Sequence, residues 1–184
     1  MGNVTKILEI GSSEEKIKTL ETLADEDDYE IIKKMVDCLD DPDIQVRGEA
    51  FSSLILNKNK ITDFLISQLK DSRKNVRGFV SLVLANRNDS SAIPAIMELT
   101  KDERSMVRSC ALGALGHLRA KQAKDTVHRC ILDSNLEVKK SALQAMIYLE
   151  EKISENEINE ISKEKDEELD HLIIKLKNGG PEGI

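Results

Sequence analysis

Residues 39–50 read LDDPDIQVRGEA, and the phrase returns as LKDSRKNVRGFV at 69–80, LTKDERSMVRSCA at 99–111 and ILDSNLEVKKSA at 131–142. Each copy sets an acid six positions before a cation and a valine just before that cation: Asp41, Val46 and Arg47; Asp71, Val76 and Arg77; Asp102, Val107 and Arg108; Asp133, Val138 and Lys139. The valines recur at intervals of 30, 31 and 31 residues. A fixed period of this length marks a repeat array, in which one supersecondary unit cannot bury its apolar face alone and stacks on its neighbours.

Reading outward from the phrase, each repeat resolves into two helices. Before the first copy, Ile32, Met35, Val36 and Leu39 stand at helical spacing. Asp41 is then placed to cap a second helix, with Pro42 at its first position, where a missing N–H costs nothing. First helices of later repeats are marked by Ile61, Phe64, Leu65 and Leu69, by Ile93, Ile96, Met97 and Leu99, and by Ala123, Val127, Cys130 and Ile131. In the second helices, aligned on the valines, the columns four and eight residues on read Ala50, Val80, Ala111, Ala142 and Leu54, Leu84, Leu115, Met146. These share one helical face and form the expected core. Residues 12–24 resemble a degenerate first repeat. The stretch 154–177 repeats the pattern weakly and is expected to cap the array, against the alternative of a disordered acidic tail. Residues 178–184 are expected to be loose. The predicted class is all-α: one domain over 1–184, an α-solenoid of stacked antiparallel helix pairs, with regular repeats over 28–149 and about five to six repeats counting the worn ends.

Composition agrees. The chain is 40% apolar, 33% charged and only 3% aromatic, with nine Gly, three Pro and no Trp, which suits an aliphatic helical core better than a β-sandwich. No apolar run is long enough to span a bilayer, and the N-terminal stretch lacks the apolar core of a signal peptide, so a cytoplasmic protein with no membrane partner is expected. Three cysteines without C-x-x-C spacing favour reduced thiols. The net charge of -7 is unevenly spread: residues 57–149 hold 16 cations and 9 acids, whereas 1–56 hold 6 and 14, and 150–170 hold 3 and 10. A basic middle between acidic flanks can steer an acidic partner, or can draw the acidic segment 150–170 back onto itself.

The roughly 30-residue helix pairs, with corners such as DPDIQVRGEA, resemble HEAT-like repeats of the short kind also found in phycobilin lyases; the resemblance covers 12–149. It implies that second helices line a concave surface and that the corner residues form a hydrogen-bonded ladder between repeats. Carried over, the ladder comprises Asp41 with Arg47, Asp71 with Arg77, Asp102 with Arg108, and Asp133 with Lys139, the last lacking the planar fork of Arg. Metal-dependent hydroxylases of this architecture carry His-Glu pairs. Here Leu118, Arg129 and Leu172 follow the three histidines, so neither that activity nor any cofactor is expected. No metal site is expected either, since His128 and Cys130, two residues apart, face different sides of a helix.

With the corners assigned to structure, candidate contact residues are those beside them. Arg73, Lys74, Arg87, Arg104, Arg119 and Lys140 have no acid in register. Gly78, Leu82, Ser109, Gly113, Gln144, His117 and Tyr148 occupy outward columns of the second helices. Glycine in a helix interior costs about 1 kcal/mol relative to alanine, so these glycines answer either to close helix approach or to an open floor that a partner touches. The expected function is a non-enzymatic scaffold whose concave, basic second-helix face holds an acidic protein segment. Two alternatives remain at this point. One is nucleic-acid binding, disfavoured by a pI near 5.1 and few aromatic residues. The other is a lyase or accessory enzyme subunit.

Overall fold

The structure, a computed structural model, describes residues 2–178; the expected loose tail lies, beyond Asn178, outside the described residues. Twelve α-helices and no strand occur among them. Contacts divide the chain between Arg87 and Asn88 into two compact units.

In the first unit, α1 (Gly2–Ile10) packs on α2 (Ser13–Leu20) and α3 (Tyr29–Asp37), α2 and α3 pack on α4 (Ile44–Leu56), and α5 (Thr62–Gln68) pairs with α6 (Lys74–Asn86), which also lies against α4. In the second, α7 (Ile93–Leu99) pairs with α8 (Ser105–His117), α9 (Lys124–Arg129) with α10 (Leu136–Leu149), and α8 runs along α10. Two further helices, α11 (Glu155–Ile161) and α12 (Glu167–Lys177), follow, and α12 packs on α10. The acidic segment is therefore helical. Ser154 opens α11 with a capping box, its hydroxyl accepting from the Glu157 amide while the Glu157 carboxylate accepts from Ser154 N–H.

The repeat columns are the core. Val46, Val76, Val107 and Val138, with the columns four and eight residues on, expose no surface. Leu169, 31 residues beyond Val138, is equally buried. Of the predicted first-helix core, Phe64 and Met97 are only half-buried. Phe64 instead meets the exposed Tyr29 edge-on, ring centres 4.9 Å apart. Helix α1, which the repeat pattern does not reach, buries Leu8.

One cap differs from expectation. Helix α4 starts at Ile44, and Asp43, not Asp41, caps it by accepting from the Gln45 amide at 2.8 Å. Asp41 is drawn into the preceding turn, where its carboxylate accepts the Asp43 N–H at 2.9 Å, and Pro42 stays outside the helix.

The second helices α8 and α10 end alike. Arg119 and Glu150 follow them with φ of 46° and 59°. The amides of Ala120 and Glu151 reach back to Leu115 and Met146, and those of Arg119 and Glu150 to Gly116 and Ile147. This double bond pattern favours glycine at the left-handed position. Side chains other than glycine pay for that conformation, offset by glycine's larger unfolded-state entropy, so Arg119→Gly and Glu150→Gly should each stabilise the protein by about 0.5–1 kcal/mol. Urea midpoints of the two variants measure this; a loss of stability in both would show that the side chains make contacts that outweigh backbone strain.

Candidate functional site

The corner motif works in two steps. In all four copies the acid's Oδ1 accepts an N–H two residues on: Asp41 from Asp43 at 2.9 Å, Asp71 from Arg73 at 2.7 Å, Asp102 from Arg104 at 2.9 Å and Asp133 from Asn135 at 2.8 Å. These Asx turns set the sharp corner between paired helices. The cation six residues on then donates Nη1 to the acid's backbone carbonyl, in Arg47 at 2.7 Å, Arg77 at 2.8 Å and Arg108 at 2.9 Å. Within a repeat, then, the cation bonds the acid's main chain.

Carboxylate pairing runs between repeats, 25 residues apart. Arg108 forks onto both oxygens of Asp133 at 2.8 Å each, and Lys16 donates to Asp41 at 2.7 Å. Lys139 likewise pairs with Glu164. Lys16 and Glu164 are thus the terminal members of the series; neither is visible in the phrase, but both lie at its 25-residue offset. Burial pulls the Asp133 carboxyl upward, but hydrogen bonds from Arg108 and the Asn135 amide, with the charges of Arg108 and Lys139, outweigh it and leave Asp133 below the ordinary carboxylate range.

Three of the cations expected to lack partners are engaged. Arg73 grips Asp71 through Nε and Nη2 at 2.9 and 2.7 Å and reaches Asp37 at 2.9 Å. Arg87 donates to the carbonyls of Leu54, Asn57 and Asn59, closing the C-terminal end of α4. Lys140 lies among Asp166 at 3.0 Å, Glu168 at 2.9 Å and Glu137 at 3.5 Å. Arg73 is claimed by Asp71 of its own corner and by Asp37 of the preceding repeat, and Lys140 by the neighbouring Glu137 and by Asp166 and Glu168 of the acidic flank. Lys74 and Arg104 remain exposed, Arg104 beside the equally exposed Glu103. Arg119 is exposed as well.

The glycines divide between the two explanations. A Cβ on Gly116 would stand 3.0 Å from the Ala145 Cα, so α8 and α10 approach closely there. Gly78 is buried, contrary to an open floor at that position. At Gly48 a Cβ would meet nothing within 4 Å.

Two depressions occupy the second-helix faces, one in each unit. In the second unit, Gly113, Lys140, Gln144 and Tyr148 line a cleft of about 210 Å³ together with Ser141, Glu137 and Glu168. Ser109 joins Ser141 hydroxyl to hydroxyl at 2.6 Å beside it. His117 is exposed at the end of α8 and is not part of the lining. In the first unit, Ile44, Arg47, Gly48 and Phe51 of α4 with Phe79 and Leu82 of α6 line a groove of about 330 Å³. Of its lining only Leu82 is a predicted contact residue; Gly48 shares the column of Gly78, Ser109 and Lys140, and Ile44, Arg47, Phe51 and Phe79 lie outside the predicted columns. The thiols are not reactive centres. Burial pushes Cys38 and Cys110 up to about 11, which keeps both protonated at neutral pH.

Repeated helix pairs joined by Asx corners and tied by cross-repeat ion pairs define an α-helical repeat protein. Residues 62–147 match the family model for HEAT repeats, a likeness that covers just under half of the chain. No curated protein matches it. Among solved structures, an engineered protein with 16% identity aligns over 98% of both chains at a TM-score of 0.57. A designed armadillo repeat protein with 15% identity aligns over 96% of this chain and 98% of its own, also at 0.57. A second designed armadillo repeat protein, in complex with the peptide (KR)4, has 14% identity over 97% and 98% at 0.54. At these identities the likeness is one of fold, and the fold is that of an α-solenoid. No helix among the described residues is long and apolar enough to cross a membrane.

Proposed function

We propose that this chain is a non-enzymatic scaffold that holds an extended segment of another protein on the outward faces of its second helices. The observation that carries this reading is that those faces are both open and indented: Gly48, Gly113 and Tyr148 are exposed there beside the groove and the cleft. An outward helix face that serves only solubility needs no such relief. The complex of a similarly folded designed protein with a peptide agrees with this use of the fold.

The bound segment is acidic. That choice rests on Lys74, Arg104 and Arg119, which stand in solvent, whereas Arg73, Arg87 and Lys140 are spent on internal bonds. Reversing all three exposed cations (Lys74→Glu, Arg104→Glu, Arg119→Glu) should weaken capture of the native partner from lysate by about tenfold, which corresponds to about 1.4 kcal/mol. Arg73→Glu should lower folding stability instead. Unchanged capture by the triple variant would exclude an acidic partner.

A further inference from the structure

The groove of the first unit takes a particular kind of segment. Its walls are apolar: Ile44, 72% exposed, with Phe51, Phe79 and Leu82, the two phenyl rings edge-on at 6.5 Å. Its floor at Gly48 is open backbone. An exposed isoleucine beside half-buried phenyl rings and a leucine around a depression is a pattern of partner-binding surfaces.

Arg47, the one charged residue in the lining, distinguishes this groove from a bare apolar patch. Lys16, Arg108 and Lys139, its counterparts in other repeats, each hold a carboxylate of the following repeat. For Arg47 the corresponding acid is Asp71, and Arg73 has taken it, with a fork at 2.9 and 2.7 Å. Arg47 still donates to the carbonyls of Asp41 and Pro42, but it makes no ion pair among the described residues. The substitution of one arginine for another on Asp71 thus leaves a guanidinium beside an open apolar groove, with no carboxylate in ion-pair contact among the described residues.

We infer that the groove between α4 and α6 binds a short protein segment that lays a bulky apolar side chain against Phe51, Phe79 and Leu82 and pairs a nearby Asp or Glu with Arg47. The inference rests on the scaffold reading and names its ligand. The spacing follows from the helix: Arg47 and Phe51 are four residues apart, about 6 Å along the axis, which an extended segment covers in about two residues. The volume, about 330 Å³, lies near the lower end of ligand-sized pockets and suits one anchor side chain and its neighbour.

Selection of random dodecapeptides on the full chain, with affinities of the enriched peptides measured by fluorescence anisotropy, tests this. Enriched peptides should share a Leu, Ile or Phe with an acid about two residues away. Gly48→Gln should abolish their binding, since the new side chain enters the open groove while glutamine, a better helix former than glycine, keeps α4 intact. Arg47→Gln should weaken acid-bearing peptides by about tenfold and leave their Asp→Asn forms unchanged, a coupling that a merely structural arginine does not produce. Peptides insensitive to both variants overturn the inference. If they depend instead on Gln144→Ala or Tyr148→Ala, the groove fails and the scaffold stands. If nothing is enriched, both fail. Sedimentation showing a dimer that Gly48→Gln dissolves would assign the groove to a second copy of the chain and also overturn the inference.

Discussion

Ending the chain at Glu151 is expected to unfold the second unit. The deleted helices α11 and α12 bury Ile158, Ile161, Leu169, Leu172, Ile173 and Leu176, and α12 lies along α10. At about 1.5–3 kcal/mol for each such side chain, the loss is on the order of 10 kcal/mol, an upper estimate that still rivals the roughly 5–15 kcal/mol total stability of a small domain. The ion pairs across the same boundary from Lys139 to Glu164 and from Lys140 to Glu168 add little beside that, since these carboxylates are 44% and 67% exposed. The alternative is a detachable acidic segment that competes with the partner. It predicts a truncated chain that stays folded and binds more tightly. Far-UV circular dichroism and size-exclusion chromatography separate the two: unchanged helix content per residue and a monomeric elution volume would show that apolar burial is not what retains the segment.

Arg108→Met should destabilise the protein by about 2 kcal/mol, and Lys139→Met by less than about 1 kcal/mol. Both cations sit at the same point of the repeat, but their settings differ. The Arg108 and Asp133 side chains are only 15% and 14% exposed and meet in a two-point fork, so removing Arg108 strands a carboxylate near the interior. Buried pairs broken on one side cost about 3–5 kcal/mol and surface pairs about 0–1; the Arg108 pair lies between. Glu164, the partner of Lys139, is 44% exposed and recovers water when the lysine is lost. The pH dependence has a definite sign. Because the folded-state pKa of Asp133 is depressed, its contribution is present above the unfolded value of about 3.9 and is lost as pH falls through the lower folded value. The gap between wild type and Arg108→Met, measured by denaturant unfolding, should accordingly be widest near neutral pH and narrow below about pH 4. A gap independent of pH would mean that packing of the arginine stem, and not the ion pair, is what the substitution removes.

Much of the fold was legible because a repeat makes the same physical demand several times. The valine column and its companions four and eight residues on occupy one helical face in every copy, so each repeat restates the others and the core follows from alignment of the chain with itself. The site was less legible. Arg73 and Lys140 were read as free because the acids that hold them, Asp37 with Asp71 and Asp166 with Glu168, are set by contacts and not by the 25-residue offset. The groove is not legible in the sequence for a related reason: Phe51 and Phe79 stand at different positions within their repeats, so no column joins them.

The sequence by itself determined the class, the buried columns and the presence of a charged corner, because these depend on periodicity, which is a property of the chain alone. Only the tertiary structure decided which cation meets which carboxylate, since salt bridges form across the stack at distances that neighbouring side chains can contest. Arg73 contests Asp71, and Arg47 is left at the edge of an apolar groove without an ion pair among the described residues.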